Sequence, residues 1–358
     1  MLKGNKGEWS EVYAFCYLLN SGILKAADKD LNPREDLYFP IIKIIRDYRN
    51  KILNYYTGES IKIYDNDTLI YECHKEALIE NLTLMLEKIP EGCRAFQIPE
   101  CEPFLNTIFI ENLKADSQHK QDIDMQIHDV NTGISPVCGF SIKSYLGANP
   151  TLINPGKSTN FIYDVIGYND EIMNVVNSIN TRTKIIDRIA YLLENNCTFN
   201  YNGVMASSQF KENLEFVDFV MPKILGYALI IAYETGSANG GKRVANVVQK
   251  LKARNPIEFS NPKMYEYKIK KFLCACALGM TPEKHWEGSE DANGGYIVVK
   301  NDGNVVCYHL YNRTEFEQYL FDYTCFDTPS TSRYDYMHIY KEKNVYKIKL
   351  NLQVRFYR

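Results

Sequence analysis

Asp122-Ile123-Asp124-Met125-Gln126-Ile127-His128, then Asn131-Thr132-Gly133, then Gly139-Phe140-Ser141-Ile142-Lys143-Ser144 read as two strands about a turn. Side chains alternate across a strand, so Ile123, Met125 and Ile127 share one face while Asp122, Asp124, Gln126 and His128 share the other. In the second run Phe140 and Ile142 oppose Ser141 and Lys143. Asn-Thr-Gly supplies turn chemistry between them. Pairing about a turn centred near Gly133 predicts Asp122 opposite Lys143 and Asp124 opposite Ser141. Such a face has a chemical use. Phosphodiester hydrolysis needs a hard cation beside the phosphate oxygens, which carboxylates hold, and a water made nucleophilic. A lysine on the adjoining strand can orient that water. The plain alternative is an amphipathic hairpin with a solvated polar face, and on pattern alone that alternative is the commoner one.

Working outward, residues 7–20 follow a helical period, with Val12, Phe15 and Leu19 forming an apolar stripe. Glu8 and Glu11 fall on or beside it. A carboxylate turned toward a core requires a cation or donors, although acids at the start of a helix are also favoured by its dipole. Helical patterns are expected over 38–56, 74–89, much of 162–255, and 264–278. From about 290 the pattern becomes β: Asn301-Asp302-Gly303 between two apolar runs is a hairpin signal. A final strand is expected from Val345 to Phe356, with Ile348, Leu350, Leu352, Val354 and Phe356 on one face. Lys347, Lys349, Asn351, Gln353 and Arg355 would form the other, with Lys341, Lys343 and Arg358 adding charge. Such a strip can meet phosphates and base edges, or be an edge strand protected by its lysines. Arg333 is a further candidate for a guanine contact, unless it pairs with Asp335.

The 358 residues suggest two or three structural units, and 45% hydrophobic with 24% charged residues excludes a mainly disordered chain. A formal net charge of −3 means that any nucleic-acid contact relies on local patches. The ten cysteines contain no CxxC pair; Cys274 and Cys276 are the closest, so buried free thiols in a reducing compartment are expected. The histidines, at 74, 119, 128, 285, 309 and 338, show no ligand spacing. The amino terminus lacks the apolar core of a signal peptide, and the longest apolar run, around Ile224 to Tyr233, is too short for a membrane span. A cytoplasmic protein with no membrane partner is expected. Gly236-Ser237-Ala238-Asn239-Gly240-Gly241-Lys242-Arg243 approaches a phosphate-binding loop, but Arg243 stands where magnesium binding needs Ser or Thr. No nucleotide cofactor is expected; Lys242 and Arg243 read instead as a basic loop able to touch DNA.

Gly139 to Gly147, preceded by Lys120-Gln121-Asp122-Ile123, resembles the PD-(D/E)xK motif of restriction endonucleases, and most closely the HpaII family. The likeness continues through Asn160-Phe161-Ile162-Tyr163, Asp327-Thr328-Pro329-Ser330-Thr331-Ser332-Arg333 and Lys349 to Phe356, so it covers most of the chain. The resemblance implies type II cleavage of double-stranded DNA at 5′-CCGG, Mg²⁺ as cofactor, Asp122 as metal ligand and Lys143 as the residue that orients water. Ser141 departs from the general motif, because it replaces the second acid and is a poor metal ligand. Either the site uses fewer acids, or the missing carboxylate comes from elsewhere, with Asp124, which shares the face of Asp122, and Glu11 as the candidates. Lys6-Gly7-Glu8-Trp9-Ser10-Glu11 resembles a first-helix segment of related nucleases, and that likeness selects Glu11 over Glu8.

The expected fold is α/β, a restriction-endonuclease-like mixed sheet flanked by helices. A catalytic region over 1–285 would carry helical elaborations, and a β-rich element over 286–358 would contact DNA. A palindromic target invites a two-fold homodimer, a monomer acting twice being the alternative. The rival readings are a DNA-binding protein without catalysis and a nuclease of different specificity.

Overall fold

In the computed structural model, which describes residues 1–113, 121–236 and 238–357, strands dominate one half of the chain and helices the other. Lys120 of the motif, His119, Ser237 and Arg358 lie outside the described residues. In chain order the strands are β1 (Ile23–Ala27), β2 (Pro33–Tyr48), β3 (Lys51–Tyr56), β4 (Ser60–Asp65), β5 (Thr68–His74), β6 (Ile123–Ile127), β7 (Val137–Ser144), β8 (Thr151–Ile153), β9 (Asn160–Ile166), β10 (Thr198–Met205), β11 (Gly295–Val299), β12 (Val305–His309), β13 (Thr324–Phe326), β14 (Ile339–Glu342), β15 (Val345–Asn351) and β16 (Val354–Phe356).

The chain divides into two compact units. One is 1–150 with 277–279 and 290–319; the other is 151–276 with 280–289 and 320–358. This division does not follow the boundary expected near 285, because β11 and β12 pair into the amino-terminal sheet rather than standing apart.

The first unit is a nine-stranded mixed sheet in the order β1-β12-β11-β7-β6-β2-β3-β4-β5. β1 also pairs with β2, so the path through β1, β12, β11, β7, β6 and β2 closes into a six-strand ring, with β3 to β5 as an antiparallel extension. An open sheet is therefore not what forms. The cause is β2: its first half pairs with β1, its second half with β6 and β3, and the ladder slips between Ile41 and Lys43. Such slips bend and twist a strand.

Helix α1 (Lys6–Ser21) packs on this sheet, with Trp9, Val12, Phe15, Leu18 and Leu19 buried against residues such as Phe39, Ile44, Met125, Phe140 and Ile297. Gly22 ends it at φ 67°, its N–H reaching Leu18 O at 2.9 Å; a side chain would resist that left-handed angle. Helix α2 (Lys75–Glu91) lies beside α1, matching the expected 74–89 segment.

The expected helix over 38–56 is a correction: the segment is β2 and β3. Ile41, Ile44 and Ile45 are spaced as on a helix face, but Ile41, Ile42, Ile44 and Ile45 are β-branched and favour a pleated surface. Arg49 and Asn50 both take positive φ, 47° and 64°, the pattern of a two-residue hairpin turn.

The second unit holds a four-stranded sheet, β10-β9-β15-β14, and a three-stranded one, β13-β16-β8. The single expected strand from 345 to 356 is thus two strands in two sheets, broken at Leu352-Gln353. Helix Met221–Thr235, the most apolar in the chain, is buried in this unit. Among the described residues no single helix is long and apolar enough to cross a membrane.

Candidate active site

β7 lies between β6 and β11, and residues 138–142 are buried from both faces. Along β6 burial alternates, with Ile123, Met125 and Ile127 inward and Asp124 and Gln126 half-exposed. The two-residue period is therefore real. The register differs from expectation by two residues. Ile123 pairs with Phe140 and Asp124 with Gly139, which sets Asp122 opposite Ser141. Buried Asp129 decides this: it caps the turn by accepting from Asn131 N at 2.9 Å and Thr132 Oγ1 at 2.5 Å, while its own N–H bonds Ile134 O. The turn therefore centres one residue earlier than Gly133. His128 belongs to the turn as well, with Nδ1 2.9 Å from Ser135 Oγ.

Asp122 is held through one oxygen. Its Oδ2 accepts the Ile142 N–H at 2.6 Å and the Ser141 hydroxyl at 3.2 Å. Oδ1 has no hydrogen bond among the described residues and stays available. Ser141, where the general motif has an acid, thus serves Asp122 as a donor. Behind the pair lies Tyr296, which faces Ser141 across the β7–β11 ladder. Burial pushes its phenol far up, and Tyr145 and the Asp122 carboxylate act in the same direction. That wall is neutral and apolar, so a charge at Asp122 has its counter-charge to find elsewhere.

Glu11, Asp122 and Asp124 line one pocket with Phe15, Arg46 and Gln121. The structure brings together both candidates for the second carboxylate. Gln121 Nε2 donates to Asp124 Oδ1 at 2.9 Å. Arg46 donates to Asn112 O at 2.6 Å and lies 5.7 Å from the Phe15 ring. Burial lowers its guanidinium pKa, opposed by Tyr55, Cys16 and then the carboxylates of Glu11 and Asp47. The cation that Glu11 needed is therefore at hand. Sequence reasoning missed Arg46 because its strand was read as a helix, and missed Gln121 because no period marks it. Glu8 is not part of the pocket. It closes a capping box with Asn5, accepting Asn5 N at 2.8 Å, an arrangement that satisfies two free backbone donors.

Lys143 follows Ile142 on β7 and pairs with Val298 of β11. It is half-buried, is not among the pocket-lining residues, and its side chain has no hydrogen bond or ion pair among the described residues. Among the described residues no three His, Cys, Asp or Glu side chains form a closed metal set. The oxygen donors nevertheless suit a hard cation. Mg²⁺ is ordinarily held by one or two carboxylates, with waters and substrate phosphate oxygens completing the octahedron.

In the second unit the expected DNA-contacting residues separate. Asn351 and Gln353 are corrections: both are buried. The Asn351 amide donates to Gly156 O at 2.7 Å, Asn160 Oδ1 at 2.8 Å and Thr159 Oγ1 at 3.1 Å, which commits its N–H groups, and its Oδ1 is buried away from solvent. Lys349 pairs with Asp335 at 2.6 Å and Arg355 with Asp327 at 3.2 Å. Lys242 is turned onto the Tyr233 ring, bonds Thr328 Oγ1, and has its pKa lowered by burial; it is not a displayed loop lysine. Arg243 covers the Tyr357 ring at 4.5 Å. Arg333 is exposed beside Tyr334, at 5.7 Å from its ring, and Asp335 is occupied by Lys349 rather than by it.

The profile of the HpaII restriction endonuclease family matches residues 5–356. The chain is also similar to the Type II restriction enzyme HpaII of Haemophilus parainfluenzae, 38% identical over 362 residues that cover 99% of this chain and 98% of the relative. No solved structure matches it.

Proposed function

The chain belongs to the HpaII restriction endonuclease family, and on that premise we propose that it hydrolyses double-stranded DNA at a short palindrome, 5′-CCGG, in a Mg²⁺-dependent reaction. The observation that carries the chemistry is the mounting of Asp122. One oxygen is fixed by Ile142 and Ser141, the other is free, and the pocket adds Asp124 and Glu11. Asp122 would hold Mg²⁺, with Asp124 or Glu11 as the second carboxylate. When bound, the ion supplies Lewis acidity toward the phosphate oxygens. Lys143, whose ammonium no described side chain claims, orients the attacking water and offsets charge gathering on the phosphate. Arg46 offsets part of the negative charge beside Glu11, and the surplus of carboxylates suits a cation. The PD-(D/E)xK architecture is part of the proposal, with the ring closure through β1 and β2 as an elaboration. A palindromic target further suggests a two-fold dimer, and free thiols suit a cytoplasmic protein.

Supercoiled plasmids with and without CCGG sites, incubated with Mg²⁺ or EDTA, test this. Discrete fragments from the CCGG plasmid in Mg²⁺ alone, abolished in Asp122→Ala, support it. A smear on both plasmids indicates a nuclease of other specificity. A gel shift with no cutting indicates a binding protein, the reading that Ser141 in place of an acid favours.

A further inference from the structure

The second unit invests heavily in one exposed loop. Between β13 and β14 the chain makes a helical turn, Thr331–Tyr334, then passes through Asp335 at φ 52° and Met337 at φ 67°. Left-handed angles at two residues other than glycine are costly and persist where surroundings over-determine them. Here they do. Buried Asn160 donates to Tyr334 O at 2.8 Å, and Met337 N reaches Lys349 O at 3.0 Å. Asn177 takes Ile339 N at 3.0 Å and gives to Ile339 O at 2.8 Å.

The most expensive brace is Arg188, which is 2% exposed. It donates to Met337 O at 2.9 Å, to Ile179 O at 2.8 and 3.1 Å, and to Asn177 O at 3.2 Å. Every partner is a backbone carbonyl; no carboxylate among the described residues neutralises it. A buried cation without a counter-ion is unfavourable unless something else repays it.

The surface over this brace is also cationic. Lys349 contacts Asp335 at 2.6 Å, and Lys157 and His338 act on the same carboxylate. His338 in turn feels Arg188 and Lys184. Lys157 is exposed and has no ion pair among the described residues; the Lys184 ammonium reaches only Asn180 Oδ1, at 3.3 Å. Lys157, Lys349 and His338 thus share one acid on a fixed loop, and Lys184 lies close enough to act on His338, so cationic side chains gather on this face. Folding gains nothing from such crowding, since like charges repel.

We propose that Lys157, Lys184, His338 and Lys349, mounted on the loop that Arg188 braces, form a binding site for backbone phosphates of duplex DNA. This rests on the DNA reading above and adds a second anchoring surface. Lysines are point charges suited to phosphate rather than to base edges, so the site would set affinity and leave sequence choice to other groups.

The test uses the full chain, EDTA, and fluorescein-labelled duplexes with and without CCGG, followed by anisotropy across a salt series. Lys157→Ala/Lys184→Ala should weaken both duplexes equally, and the slope of log K against log salt should shrink by about one unit per lysine. Both side chains reach solvent, and an unchanged melting temperature will confirm folding. A double variant with the wild-type slope on both duplexes overturns this surface alone. A loss confined to the CCGG duplex also overturns it, in favour of base contact. A wild-type protein that binds neither duplex overturns the DNA reading and this site with it.

Discussion

Ser141→Ala isolates the least expected feature of the site, a hydroxyl where a ligand was due. The change removes the donor 3.2 Å from Asp122 Oδ2 and leaves the Ile142 N–H at 2.6 Å. A hydrogen bond to an ionised acceptor contributes about 1.5–3 kcal/mol. At 3.2 Å this one belongs near the lower bound, so about 1.5 kcal/mol of carboxylate positioning is lost, or roughly tenfold in rate. The assay is single-turnover plasmid cleavage across a magnesium titration. Expected is a rate about tenfold lower, with the melting temperature lowered by only a few degrees. Ser141→Glu supplies the acid of the general motif but places a second carboxylate at a position 7% exposed beside Asp122. Without a cation that costs several kcal/mol, so this variant should melt early in EDTA and recover in Mg²⁺. Ser141→Ala cleaving at the wild-type rate at every magnesium concentration would refute the orienting role. A loss of more than about a thousandfold would make the hydroxyl part of the chemistry itself.

Lys143→Ala should lose about 10²–10⁴ in cleavage while DNA binding persists; a change only in the salt dependence of binding would make Lys143 a phosphate clamp. Glu11→Gln should shift the magnesium titration to higher concentration and lower the melting temperature, since Arg46 loses one of the charges that oppose its desolvation. Superimposed magnesium curves would leave Asp124 as the second carboxylate. His309 predicts a pH effect. Burial lowers its pKa, with Asp129 opposing, so below about pH 6.5 the native state binds fewer protons than the unfolded chain. Stability should therefore fall as pH drops through that range and level off below the native value. His309→Leu should make this limb shallower in urea denaturation, though not flat, because His338 is lowered too; an unchanged limb would rule His309 out.

Local pattern was enough for much of this protein. Alternation marked β6 and β7 and put Asp122 and Asp124 on one face; the heptad-like stripe marked α1; Asn-Asp-Gly marked the hairpin that β11 and β12 form. The family, too, was legible in the motif residues, because catalytic chemistry restricts residue type at fixed spacing. What required the fold were relations that no window of sequence contains. Ile41, Ile44 and Ile45 satisfy a helical and a strand period alike, and only neighbours β1, β3 and β6 settle the choice. A turn centred one residue earlier moves a register by two, so the hydrogen bonds of Asp129 decided that Asp122 faces Ser141 and not Lys143. Asn351 alternates like a surface residue yet is buried, since burial depends on what packs above a strand and not on the strand's own period. The pocket that joins Glu11 to Asp124 is of the same kind: more than a hundred positions of chain separate the two carboxylates, and tertiary packing alone brings them, with Arg46, to one place.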